Sequence, residues 1–122
     1  MSNDVRHTAG AAGEDIAAAH FERLGFQVLA RNHRTRFGEL DLVAYDGSTL
    51  VFAEVKTRRS DSREAWENLH WIKQSKVRRM AIAWLTEGPD RPFGADLRFD
   101  GVAVLLDRSG QLVRLDHLEA AF

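Results

Sequence analysis

The stretch Gly38-Glu39-Leu40-Asp41-Leu42-Val43-Ala44-Tyr45-Asp46-Gly47-Ser48-Thr49-Leu50-Val51-Phe52-Ala53-Glu54-Val55-Lys56 holds two alternating runs on either side of an Asp-Gly dipeptide. Alternation with a period of two is the mark of a half-buried strand, and Asp-Gly between two such runs is a strong hairpin signal. A two-residue turn at Asp46-Gly47 pairs Tyr45 with Ser48, Asp41 with Phe52 and Glu39 with Glu54. Leu40, Leu42, Ala44, Val51, Ala53 and Val55 then form one apolar face, suited to pack under a helix. The other face carries Val43, Leu50 and Phe52 near the turn, and Glu39, Asp41, Glu54 and Lys56 at the far end.

In that register Asp41 and Glu54 are diagonal neighbours, with Cα atoms roughly 7–8 Å apart and side chains able to converge. Two carboxylates meeting on one point suit an oxygen-preferring cation, Mg²⁺ or Mn²⁺. Lys56 projects from the same face as Glu54, because residues i and i+2 of a strand share a side. A cation lowers the pKa of its bound water, and a neighbouring ammonium can orient that water or stabilise charge on a phosphoryl oxygen. This is equipment for metal-assisted phosphodiester hydrolysis. It depends on the register, since a three-residue turn would put Asp41 on the face opposite Glu54. The same spacing also fits a surface pair of Glu54 with Lys56, worth less than about 1 kcal/mol. Glu14, near the start of the first helix, reaches the site if that helix packs across the sheet. Otherwise it is a helix-start carboxylate favoured by the macrodipole, and Glu39 reads as an exposed acid.

Outward from the hairpin, residues 1–10 read as a flexible lead-in to one domain over residues 11–122. Helix is expected from about Ala11, with Ala17, Phe21 and Leu24 on one face and Gly25 as the residue that ends it. Phe26 to Arg34 reads as a first strand with a basic end. Residues 57–70 are charged and aperiodic, as expected of a mobile connection. A helix from about Trp71 to Leu85 follows, with Val77, Met80, Ala81, Trp84 and Leu85 on its stripe, ended by the Gly88-Pro89 cluster. Strands at Asp96 to Asp107 and Leu112 to Leu115, joined by a Ser109-Gly110 turn, complete an α-β-β-β-α-β-β order.

Composition narrows the chemistry. The 122 residues have room for one core, and the absence of cysteine excludes disulfides, thiolate metal centres and thiol nucleophiles. A reducing cytoplasm is the expected compartment. The polar N-terminus is not that of a signal peptide, and no apolar run approaches the roughly 20 residues of a membrane span. The five histidines have no paired spacing for zinc. The net charge of −1 conceals a split: residues 31–79 carry eleven basic and seven acidic side chains, net +4, and the remainder carries −5. A basic middle around a carboxylate pair is how a near-neutral protein grips a polyanion. Arg34, Arg36, Arg58, Arg59, Lys73, Lys76 and Arg79 are the expected phosphate contacts. Trp66 and Trp71 fit base stacking less well than core packing.

Gly13-Glu14, Gly38-Glu39-Leu40-Asp41-Leu42, Phe52-Ala53-Glu54-Val55-Lys56-Thr57-Arg58 and Arg98-Phe99-Asp100 together resemble the YraN family of endonuclease-like proteins, within the PD-(D/E)XK nuclease superfamily and similar to archaeal Holliday-junction resolvases. The resemblance runs from about Gly13 to the end of the sequence. It implies a restriction-endonuclease-like α/β core, a mixed central sheet flanked by helices. It also implies Asp41 and Glu54 as metal ligands, Lys56 as catalytic lysine and Glu14 as the helix acid. Where the family places Lys-Gln at the second helix, this chain has Lys76-Val77; Gln74 stands about one turn earlier. The expected activity is Mg²⁺- or Mn²⁺-dependent cleavage of DNA, with branched or junction forms as candidate substrates and a homodimer as an open arrangement. A nucleic-acid-binding module without turnover and an interaction protein are the alternatives.

Overall fold

The computed structural model describes residues 5–59, 75–87, 92 and 94–122. Five strands form one sheet in the order β1 (Gln27–Thr35), β2 (Gly38–Tyr45), β3 (Thr49–Arg59), β4 (Asp96–Leu106) and β5 (Leu112–Leu118). All neighbours are antiparallel except β3 and β4. That parallel pair requires a crossover, and helix α2 (Val77–Glu87) lies on it; helix α1 (Val5–Arg23) precedes the sheet. The result is the expected α/β architecture, a mixed sheet flanked by helices in the order of a restriction-endonuclease-like core. Among the described residues no helix is long and apolar enough to cross a membrane.

Alternation along β3 separates two apolar layers. Val51 and Ala53 join Ala17, Ala18 and Phe21 of α1, while Leu50 and Phe52 join Val77, Met80, Ala81 and Trp84 of α2. Each helix therefore covers one face. Helix α1 ends as expected at Gly25, whose φ is +94°. Gly25 N–H donates to Glu22 O at 3.0 Å and Phe26 N–H to Phe21 O at 3.0 Å, the Schellman pattern. Because the chain turns there, Leu24 leaves the apolar stripe and is 52% exposed, against expectation. The backbone is helical from Val5, earlier than Ala11.

Further boundaries differ, and β5 runs on to Leu118 rather than ending at Leu115. Ser75 and Lys76 are not helical, and Ser75 Oγ accepts the Val77 N–H at 3.1 Å, so α2 starts at this cap rather than at Trp71. Thr57, Arg58 and Arg59 extend β3 alongside Val104, Leu105 and Leu106 instead of opening a loop; residues 60–70 of the expected connection lie outside the described residues. The hairpin turn sits one residue later than Asp46-Gly47. Asp46 accepts the N–H of Ser48 at 2.9 Å and of Thr49 at 2.7 Å, and its own N–H donates to Thr49 O at 3.3 Å. Asp46 thus closes the turn, and Tyr45 pairs with Leu50 and Val43 with Phe52. A two-residue shift preserves alternation up to Leu42 and Ala53, the last pair of that register.

Leu40 corrects the expected apolar face. It packs with the α2 layer, although Leu42 packs with α1. The phase of β2 therefore changes between them, at the level where the paired register with β3 stops at Leu42 and Ala53. Asp41 lies at this break.

Candidate metal centre

Glu14 reaches the sheet because the residue before it has no side chain. A Cβ on Gly13 would lie 1.9 Å from Thr57 Oγ1 and 2.9 Å from Thr57 Cβ. Glycine lets α1 touch β3 at this point, one residue from Lys56. Glu14, Glu39 and Asp41 then meet, each offering an oxygen within 4.8 Å of the other two.

Asp41 is the most perturbed of the three. Its Oδ2 accepts the Val55 N–H at 2.8 Å, which favours the ionised form. Burial works against ionisation and dominates; the charges of Glu14, Glu54 and Glu39 add to it, and the pKa is pushed up to about 6. Glu14 is also raised, first by burial and then by Glu39 and Asp15, against the hydrogen bond from the Asn32 side chain and the charge of Arg31. Arg31 is itself bridged to Asp15. Glu54 stands beside this group; its Oε2 is buried without a hydrogen-bond partner among the described residues. Glu54 and Lys56 are both half-buried and share one side of β3 by alternation.

The tight grouping is thus Glu14, Glu39 and Asp41, with Glu54 close enough to disfavour the Asp41 charge. Glu39 is exposed, as expected of it, and it joins the group from the same end of the hairpin as Asp41. Asn32 was missed altogether. All of these groups offer oxygen ligands, the donor set of Mg²⁺ or Mn²⁺, and the Glu54 Oε2 is an acceptor to which no group among the described residues donates. The residues fit such a cation.

The basic residues divide. Arg34, Arg36, Arg58, Lys76 and Arg79 are exposed. Arg36 lies 4.8 Å from the centroid of the Phe37 ring, and Arg58 donates to Thr57 O at 3.0 Å. Arg59 is half-buried and donates to Arg108 O at 3.4 Å. Lys73, Gln74, Trp66 and Trp71 lie outside the described residues. Arg78 holds the Phe122 carbonyl at 2.6 Å and covers the Phe99 ring, so its role is in the fold. Among the described residues His20 and His117, remote in sequence, come together: His20 Nε2 lies 3.0 Å from His117 Nδ1.

The model of the uncharacterised protein family UPF0102 matches residues 13–104. A UPF0102 protein of Pelotomaculum thermopropionicum is 43% identical over 120 residues, covering 98% of each chain. One from Parafrankia is 44% identical over 119 residues, with 97% of this chain and 98% of the relative covered. One from Geobacter sulfurreducens is 41% identical over 114 residues, covering 93% and 87%.

Proposed function

This chain belongs to the uncharacterised protein family UPF0102, and from that premise and its carboxylate cluster we propose that it is a divalent-metal-dependent nuclease that hydrolyses phosphodiester bonds in DNA, branched or junction DNA foremost. The observation that carries the reading is the meeting of Glu14, Glu39 and Asp41 within 4.8 Å, beside a buried Glu54 oxygen that has no hydrogen-bond partner among the described residues. Asp41 and Glu54 would hold Mg²⁺ or Mn²⁺, with Glu14 as a further acid at its edge. When bound, the cation polarises a phosphoryl oxygen and eases deprotonation of an attacking water. Lys56, two residues past Glu54, offers its ammonium to the charge that develops on the phosphate. Arg34, Arg36, Arg58, Arg59, Lys76 and Arg79 provide the positive surface that holds the backbone, with Lys73 added from the sequence. A homodimer would supply two such centres for a substrate in which two strands are cut.

A second reading, nucleic-acid binding without turnover, rests on Val77, which has no polar group where the resembling family carries glutamine. One experiment separates the two. Labelled duplex, single-stranded and four-way-junction DNA, with RNA counterparts, are incubated with Mg²⁺ or Mn²⁺ and with the parent, Asp41→Asn or Lys56→Ala. Cleavage of junction DNA by the parent, reduced at least 100-fold in both variants, supports the nuclease. Salt-sensitive binding with no cleavage supports the second reading, and equal cutting by parent and variants contradicts the assigned site.

A further inference from the structure

Away from the carboxylate cluster, two imidazoles from different elements face each other. His20 belongs to α1 and His117 to β5, and both are half-buried. The state of His117 follows from its neighbour Asp100. That carboxyl is fully buried and accepts from Arg98 Nε and Nη2, each at 2.9 Å, and from the Ala120 N–H at 3.1 Å. A carboxylate surrounded by donors is the acceptor in its remaining contact too, so the ring proton of a neutral His117 sits on Nε2, 2.7 Å from Asp100 Oδ2. The lone pair of His117 is therefore on Nδ1, and Nδ1 lies 3.0 Å from His20 Nε2. Phe21, fully buried, meets both rings edge-on, with centroids 5.8 Å from His20 and 4.8 Å from His117, and so holds their orientation.

In the metal-free chain a proton bridges the two nitrogens. A tetrahedral Zn²⁺ holds imidazole nitrogens at about 2.0–2.1 Å, which sets two of them roughly 3.3 Å apart. Exchanging the bridging proton for the ion thus asks the rings to separate by a few tenths of an ångström. Metal-bound histidines characteristically give their other ring N–H to a carboxylate, which fixes the tautomer and raises the basicity of the ligating nitrogen. Asp100 already does this for His117.

We propose that His20 and His117 form a second cation site, one for an imidazole-preferring divalent transition metal such as Zn²⁺, bound through His20 Nε2 and His117 Nδ1. Asp100 is the outer partner that orients His117, and water completes the coordination. On binding, two Zn–N bonds form and the proton of His20 Nε2 passes through solvent to His20 Nδ1, so both rings bind as neutral ligands. The donor set separates this site from the all-oxygen cluster of Glu14, Glu39 and Asp41, which suits Mg²⁺ or Mn²⁺. The proposal stands apart from the reading of that cluster.

Calorimetric titration of the full chain with Zn²⁺ at pH 7.5 tests it, with Mg²⁺ in large excess to compete for the carboxylate oxygens. The parent, Asp41→Asn and His20→Gln are compared, and the histidine ring protons of the parent are followed by NMR. The expected result is one equivalent of Zn²⁺ bound alike by the parent and Asp41→Asn, at least about 10-fold more weakly by His20→Gln, with the ring signals of His20 and His117 shifting together. The ring signals need no variant, so they decide the matter even if His20→Gln melts early. Parent-like affinity in a folded His20→Gln, no binding by the parent, or binding that moves neither ring would overturn the site. Binding lost in Asp41→Asn and kept in His20→Gln would put the ion on the carboxylates, overturning this site and leaving the proposed function standing.

Discussion

Asp41 stabilises the folded chain less when charged than when protonated. Its carboxyl is largely desolvated and faces Glu14, Glu54 and Glu39, so its folded pKa of about 6 lies above the 3.8 of an unperturbed aspartate. A raised folded pKa means that the stabilising contribution is complete below the unfolded value and is lost as pH rises through about 6. At neutral pH the ionised group therefore costs on the order of 2–3 kcal/mol relative to its protonated form. Asp41→Asn keeps an oxygen to accept the Val55 N–H. It should raise metal-free stability at pH 7.5 by roughly 1–3 kcal/mol, with the gain shrinking toward pH 4, as read by urea denaturation at both values. A variant less stable than the parent at pH 7.5 would refute this. Asp41 was legible in the sequence because an acid in an otherwise alternating apolar strand stands out. Asn32 was not, because a positive φ inside a strand leaves no periodic trace.

At the scale of elements, the centre depends on how closely α1 lies on β3. The Cβ of an alanine at Gly13 would meet three atoms of Thr57, Oγ1 at 1.9 Å and Cβ and Cγ2 at 2.9 Å, so rotation of this β-branched side chain does not clear the space. Alanine in a helix gains about 1 kcal/mol over glycine, whereas overpacking costs about 1–3. Gly13→Ala should therefore lower stability by up to about 2 kcal/mol and weaken Mn²⁺ binding, because Glu14 moves with the helix. Thr57→Gly in the same chain should restore part of both, as measured by melting and calorimetry. Element order and the two helix stripes followed from periodicity and turn residues. The hairpin register did not, because Asp46 bonds the turn from outside it and moves the reversal by one residue. Since the pairing slipped by two, the alternation of β3 survived the error. Leu40 departs from the expected face, since it packs with the α2 layer where Leu42 packs with α1.

Across the whole molecule, Asp100 is the buried charge that joins distant parts. It is fully buried and accepts from Arg98 Nε at 2.9 Å and Nη2 at 2.9 Å, from the Ala120 N–H at 3.1 Å, and bonds His117 Nε2 at 2.7 Å. His117 in turn meets His20 on α1, a contact between residues 97 apart that no local pattern announces. Breaking a buried, paired charge is expensive, so Asp100→Ala should cost about 3–5 kcal/mol in denaturant unfolding. Burial, His117 and Arg23 lower the pKa of His20, so its neutral form is favoured in the fold. Stability from this group is therefore lost as pH falls through the ordinary histidine range near 6.5. Melting between pH 7.5 and 5.5 should drop less in His20→Gln than in the parent. The network fastens the far end of the helix that carries Glu14, and so links the global fold to the centre. That centre is tested most directly by melting the parent and Asp41→Asn at pH 7.5, each with and without Mn²⁺. The metal should raise the parent's melting temperature, by the equivalent of roughly 2–3 kcal/mol at a hundredfold excess over its dissociation constant, and should leave Asp41→Asn unchanged, so that the metal-free advantage of Asp41→Asn is offset in the parent alone. An equal shift in both proteins, or none in the parent, would contradict the account.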